Sequence, residues 1–228
     1  MNLDEILNPK RDSLILNDIE KAALVKINST NYYKAGDFSF LNDHKSLRPG
    51  KKHLLLGTTG SGKTTLARSI CYEIAKEKKV MWYSSEESLD DMRTAISINA
   101  VNNKSLENVD FREEQDYIKK TNGDSLKFIS EIVKDFIQGG CEVMFFDNLT
   151  TSAFYEGKQI DQQAAFFNML SEVFKKIKKP IFIIAHTDAK TKDLQKDLFD
   201  ANSIRGQKLP SNKCEYVYGY QIIPWIEE

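Results

Sequence analysis

An apolar run, His53–Gly57, passes without a break into GTTGSGKT (57–64), and a helix with a clean apolar stripe follows. The octapeptide fits G-x-x-x-x-G-K-[ST] at every fixed position, in the strand–turn–helix context that this pattern requires. Each residue type has a reason. Gly57, Gly60 and Gly62 let the backbone curl until successive N–H groups point at phosphate oxygens. The helix that begins near Lys63 adds its positive dipole end. Lys63 can reach the β- and γ-phosphates, and the Thr64 hydroxyl can ligate Mg²⁺. Gly57, Thr58, Thr59, Gly60, Ser61, Gly62, Lys63, Thr64 and Thr65 are therefore the expected binding residues for ATP, with Mg²⁺ as its metal.

The rest of the chain repeats the alternation that this turn implies. The helix after the loop has Leu66, Ala67, Ile70, Cys71, Ile74 and Ala75 on one face. Strand VMWYSS (80–85) and a helix over 89–101 come next. In 104–122 a short strand at Val109–Arg112 is expected. A helix over about 124–138 stops at Gly139–Gly140, and strand EVMFFD (142–147) follows. A further helix, with Phe166, Met169, Leu170, Val173, Phe174 and Ile177 inward, closes at Pro180. Strand IFIIAH (181–186), a polar stretch (187–213) and a last strand, CEYVYGYQII (214–223), complete the pattern. Continuous apolar strands separated by helices indicate an α/β fold: a mostly parallel sheet with helices on both faces.

Residues 1–37 read as an N-terminal arm, with Leu14, Leu16, Ile19, Ala22, Ala23 and Ile27 on a helical stripe that packs on a neighbouring subunit. Residues 38–228 form the main domain. With 32 basic against 33 acidic side chains, no overall attraction to nucleic acid or anionic lipid exists, although a local patch can still form. Cys71, Cys141 and Cys214 are widely spaced and form no CxxC pair, so neither a disulfide framework nor a zinc site is indicated. No apolar run approaches the roughly 20 residues needed to span a membrane, and the N-terminus lacks a secretory signal. A cytoplasmic protein without membrane partners is expected.

Two acidic features stand where an ATPase needs them. Asp147 ends a buried strand after the phosphate loop and can hold Mg²⁺ together with Thr64. SSEES (84–88) places Glu86 and Glu87 at the C-terminal edge of the sheet, the usual ligand side of a parallel sheet. A carboxylate there can orient and deprotonate a water. The other reading of Ser84–Asp91 is a capped helix start in which both glutamates serve the helix dipole.

Strand–SSEES–helix resembles the RecA-type P-loop ATPases, most closely the DnaB-type and phage primase-helicase ring helicases and the KaiC-like proteins. Those families carry Ser-Leu-Glu-Met, Leu-Glu-Glu-Ser or Phe-Glu-Glu at this place. The lead-in FSFLNDHKSLRPGKKHLLLGTTGSGKT is similar to their entry into the phosphate loop, and the resemblance runs from about Phe38 to Ile223. It implies a RecA-like P-loop NTPase fold, with Lys63 and Glu86 in the catalytic set and Glu87 as the second candidate carboxylate. IFIIAHT resembles the strand whose terminal His or Gln senses the γ-phosphate, which gives His186 that role. SIRGQKL (203–209) is similar to an Arg-Gly-Ser segment of those helicases, with Gln207 in place of Ser.

The resemblance also implies a homo-oligomer, with a hexameric ring favoured, and a cation donated across the subunit boundary. Those helicases carry that cation in a Lys-x-Arg finger after the last core strands, whereas no basic residue follows Lys213 here. Arg205 or Lys208, or a partner protein, is the expected substitute. In such rings the loops after the Asp147 and His186 strands line the central channel. Lys158, Lys190, Lys192 and Lys196 are thus expected to contact single-stranded DNA, with Arg205 near them and Phe154 or Tyr155 for base stacking. Asp and Glu residues in the same loops offset that charge. The reading is an ATP-hydrolysing, DNA-associated motor like a compact phage or plasmid replicative helicase. A KaiC-like oligomeric switch, or a recombinase or strand-annealing ATPase, is the alternative.

Overall fold

Strands that are apolar on both faces have to lie between two layers of helix, and the chain meets that demand with one six-stranded sheet. The computed structural model describes residues 32–99, 104–187 and 209–220. By its internal contacts the chain divides into two units, Met1–Tyr32 and Tyr33–Glu228. The expected helical stripe within 1–30 lies outside the described residues.

The described elements run in this order: α1 (Ser39–Asn42), β1 (Lys52–Gly57), α2 (Lys63–Ala75), β2 (Val80–Ser84), α3 (Leu89–Asn99), a 3-10 turn (Lys104–Asn108), β3 (Val109–Glu113), α4 (Glu114–Thr121), α5 (Ser125–Gln138), β4 (Val143–Asp147), α6 (Ile160–Lys176), β5 (Ile181–His186), α7 (Leu209–Lys213) and β6 (Tyr216–Gly219). The sheet order is β3-β2-β4-β5-β1-β6, and every pairing is parallel. The phosphate-loop strand β1 is therefore not a neighbour of β4, because β5 lies between them.

One register line ties the sheet together. Phe111, Trp82, Phe145, Phe182, His53 and Tyr216 stand opposite one another across all six strands. Their rings stack from Trp82 to Phe145 (5.4 Å), Phe145 to Phe182 (5.3 Å), Phe182 to His53 (5.4 Å) and His53 to Tyr216 (4.9 Å). Side chains on this face pack with Ala67, Ile70, Cys71 and Ile74 of α2, and Arg68 sits over the Trp82 ring. The opposite face, with Leu54, Met81, Tyr83, Phe146 and Ile183, is covered by α4, α5 and α6 through Tyr117, Phe128, Ile132, Phe166, Leu170 and Phe174.

Helix α4 is absent from the expectation for 104–122. Its apolar stripe is reduced to Tyr117 and Ile118, so periodicity alone does not reveal it. Its ends carry the signal instead: Glu114 and Asp116 in the first turn, Lys119 and Lys120 in the last, and Asn122 then Gly123 at positive φ (51° and 71°) to stop it. Helix α5 is capped by Asp124, whose side chain accepts from Leu126 N (2.9 Å) and Lys127 N (3.0 Å). Among the described residues no helix is long and apolar enough to cross a membrane.

His53 gives the ladder a pH limit. It is fully buried, and its Nδ1 lies 3.1 Å from the Tyr218 hydroxyl. Burial pulls its pKa from an ordinary 6.5 down to about 3, outweighing a hydrogen bond with the Ser46 backbone. Unfolded chains bind a proton there below about pH 6.5 while the folded chain refuses it until about pH 3. Stability is therefore full above pH 6.5 and declines as pH falls toward 3. His53→Phe, which keeps a ring in the ladder, is expected to flatten that decline, as measured by urea unfolding at pH 7 and pH 4.5; an unchanged slope would place the acid sensitivity elsewhere.

Candidate active site

Parallel pairing puts the C-terminal ends of the central strands on one edge, where Gly57 pairs with His186 and Ser84 with Asp147. The phosphate loop, the Asp147 carboxylate, His186 and the SSEES turn thus meet at that edge. Gly60 and Gly62 have φ of 77° and 85°, a region open to glycine at little cost. Gly57 is needed for space: a Cβ there would lie 2.6 Å from the Tyr220 carbonyl oxygen and 2.7 Å from Ser61 Oγ. Tyr220 N in turn donates to Leu56 O (2.7 Å), so the chain after β6 lies beside the loop.

Lys63, the first residue of α2, is 3% exposed. Its Nζ donates to Thr58 O (2.7 Å) and lies 3.0 Å from His186 Nδ1. An ammonium has only donors, so Nδ1 accepts, and the ring proton belongs on Nε2. Nε2 then donates to Glu86 Oε1 at 3.1 Å. A continuous chain, Lys63 to His186 to Glu86, crosses the mouth of the site. Asn148 Nδ2 adds a second donor to Glu86 Oε1 (3.3 Å).

The charges follow from these contacts. The His186 hydrogen bond is the largest effect on Glu86 and holds its carboxyl below the ordinary value, against partial burial. Burial pulls the Lys63 ammonium down, with Asp147 and Glu86 opposing. Asp147 is pushed up to about 7 by burial, countered by a hydrogen bond with the Thr64 side chain. Among the described residues its Oδ1 is buried without a partner, as is Ser61 Oγ. A buried carboxylate with an unused oxygen beside a threonine hydroxyl is a donor set suited to a hard divalent cation. Thr64 and Asp147 fit Mg²⁺, and the loop with Lys63 fits the phosphates of ATP.

The two glutamates diverge. Glu87 pairs with Arg68 Nη2, one turn along α2 from Thr64, and so turns away from His186. Thr65 and Thr59 are exposed, and Thr58 is half-buried with its carbonyl on Lys63. Sequence reasoning passed over Arg68, Asn148, Thr150 and Thr151. Arg68 stands four residues after Thr64, a spacing that shares a helix face, and Asn148 directly follows the strand-end Asp147.

Phe154 and Tyr155 are not available for stacking on bases. Each is 1% exposed. Phe154 stacks on Phe128 at 4.0 Å, and Tyr155 meets Phe166 edge-on. The loop folds back because two large rings gain more from the core than from water. Lys158 is half-buried in a groove with Leu126 and Gln162. Lys190, Lys192, Lys196, Arg205 and Lys208 lie outside the described residues.

Residues 53–205 match the family model of the "ATPase family associated with various cellular activities (AAA)". The KaiC-like protein PH0186 from the hyperthermophilic archaeon Pyrococcus horikoshii OT3 is similar in structure, with a TM-score of 0.59 at 15% identity over 82% of this chain and 79% of that one. The ATPase domain of the protein G40-P gives a TM-score of 0.66 at 9% identity, over 93% of this chain and 83% of that domain. At such identities the likeness establishes the fold, that of a RecA-like P-loop NTPase. A search of curated proteins found no match.

Lys63→Ala is expected to abolish nucleotide binding, and Gly57→Ala to weaken it strongly, because its Cβ would strike Tyr220 and Ser61. Titration with a fluorescent ATP analogue checks both, and wild-type affinity in both variants would move the nucleotide elsewhere.

Proposed function

The chain belongs to the ATPase family associated with various cellular activities, and we propose that it hydrolyses Mg-ATP as a homo-oligomer on single-stranded DNA, like a compact phage or plasmid replicative helicase motor. The observation that carries the hydrolytic reading is Glu86, an ionised carboxylate held by His186 and Asn148 across from Lys63 and Asp147. In this reading Glu86 orients the attacking water and accepts its proton, a contribution of roughly 10²–10⁴-fold. Lys63 leaves Nδ1 of His186 to meet the phosphates, and His186 keeps Glu86 in place. Magnesium on Thr64 and Asp147 supplies charge neutralisation at the phosphates.

Coupling to DNA is supported by how the loop after β4 joins the site. His186 N donates to Thr150 Oγ1 (3.0 Å), and Asn148 of the same loop donates to Glu86. His186 thus touches Lys63, Glu86 and that loop together, which suits a γ-phosphate sensor. The cation completing the site comes, in this proposal, from Arg205 or Lys208 of a neighbouring copy, or from a partner protein. An oligomeric switch of the KaiC-like kind is the second reading. Burial of Phe154 and Tyr155 favours it, because Lys158 is then the cation that this loop offers a polynucleotide.

Glu86→Gln is expected to retain ATP binding and lower turnover by about 10²-fold or more, while Glu87→Gln keeps most of the activity because its partner is Arg68. The reverse pattern in a phosphate-release assay would exchange the two roles. Single-stranded oligo-dT is expected to raise wild-type turnover; no stimulation at low salt would select the switch.

A further inference from the structure

Glu114 is a carboxylate that the nucleotide site does not use, yet it lies 6% exposed among aromatic rings beside that site. It is the first residue of α4, directly after β3. Its Oε1 accepts from the Tyr83 hydroxyl (2.7 Å), Ser152 Oγ (2.6 Å) and Ala153 N (3.0 Å). Burying a carboxyl is costly unless such bonds compensate it, so a residue that only filled space here would be apolar.

The donors come from the two segments that cradle Glu86. Tyr83 stands in β2, two residues before Ser85. Ser152 and Ala153 belong to the loop that follows Asp147. The same two segments are joined nearer the site: Ser85 Oγ accepts from Asn148 N (3.1 Å), donates to Asn148 O (3.0 Å) and lies 2.9 Å from Thr151 Oγ1. Beyond that seam Asn148 reaches Glu86 and Thr150 reaches the backbone of His186. None of these bonds involves the phosphate loop.

We propose that Glu114 is a positioning residue for hydrolysis, clamping Tyr83 of β2 and Ser152–Ala153 of the β4 loop on one oxygen and thereby fixing Glu86 against His186. The proposal rests on Glu86 being the water-activating carboxylate. Misplacing such a group by about 1 Å can cost 10²-fold in rate, and the clamp acts on the water side of the site while the phosphate side is held separately.

The test compares kcat with the affinity for a non-hydrolysable ATP analogue. Glu114→Ala is expected to lower kcat by roughly 10- to 100-fold with analogue affinity changed by less than about 3-fold. Glu114→Gln, which keeps an acceptor oxygen, is expected to recover most of the turnover. In a Glu86→Gln background, Glu114→Ala is expected to cost nothing further, since residues acting as one unit are non-additive. Wild-type kcat in Glu114→Ala, an equal loss of affinity, equal losses in the Ala and Gln variants, or a full additional loss in the double variant would each overturn the proposal. Should Glu114→Ala fail to fold, Tyr83→Phe and Ser152→Ala each remove one donor, and the same split, smaller in size, is expected of them; no split in either overturns the clamp. A fast Glu86→Gln enzyme would instead defeat the reading of Glu86 itself, whereas a slow Glu86→Gln with a fast Glu114→Ala defeats the clamp alone.

Discussion

Parallel pairing with Gly57 opposite His186 and Ser84 opposite Asp147 is the constraint on which the rest of this structure depends. Strands that run the same way end on the same edge, so residues a hundred or more positions apart in sequence arrive within hydrogen-bonding distance without any dedicated scaffold. Lys63 and His186 are such a pair, at 3.0 Å, and Glu86 and His186 are another, at 3.1 Å. A one-residue slip of β5 against β1 would turn His186 to the other face of the sheet and break both contacts. The stacked ladder from Trp82 to Tyr216 opposes such a slip, because Phe182 would leave the His53 ring that it stacks on.

The site carries local costs that the core has to offset. Lys63 and Asp147 are almost fully buried, and burial disfavours the charged form of each. Among the described residues Asp147 Oδ1 and Ser61 Oγ lack partners where a buried polar atom ordinarily has one. Such groups reduce stability in the protein as it stands, the usual relation between a functional site and the fold that bears it. The offsetting interactions are non-directional and lie away from the edge, in the two apolar layers on either side of the sheet.

Much of this was legible in the sequence. GTTGSGKT between an apolar strand and an amphipathic helix specifies a phosphate loop because few other uses need three glycines, a lysine and a hydroxyl at that spacing. The strands at 52–57, 80–84, 143–147 and 181–186 were visible as apolar runs because both of their faces are buried. Helix α4 was not visible, since a short helix whose buried side chains are Glu114, Tyr117 and Thr121 leaves almost no apolar periodic trace. Phe154 and Tyr155 read as loop aromatics open to bases because a loop carries no period from which burial can be inferred.

What the sequence determined by itself is what depends on neighbours along the chain: the phosphate loop, the strand–helix alternation, the α/β class and the acidic strand end at Asp147. What only the tertiary structure decided is what depends on neighbours across the sheet. Glu86 and Glu87 are adjacent and chemically identical, and nothing local separates them. Their contacts part because β5 delivers His186 to one and α2 delivers Arg68 to the other. Glu114 is likewise an ordinary glutamate in sequence, and becomes a buried junction only when β2 and the loop after β4 close around it. Hydrogen-bond partners at long separation are fixed by strand order and register, and those are properties of the assembled sheet.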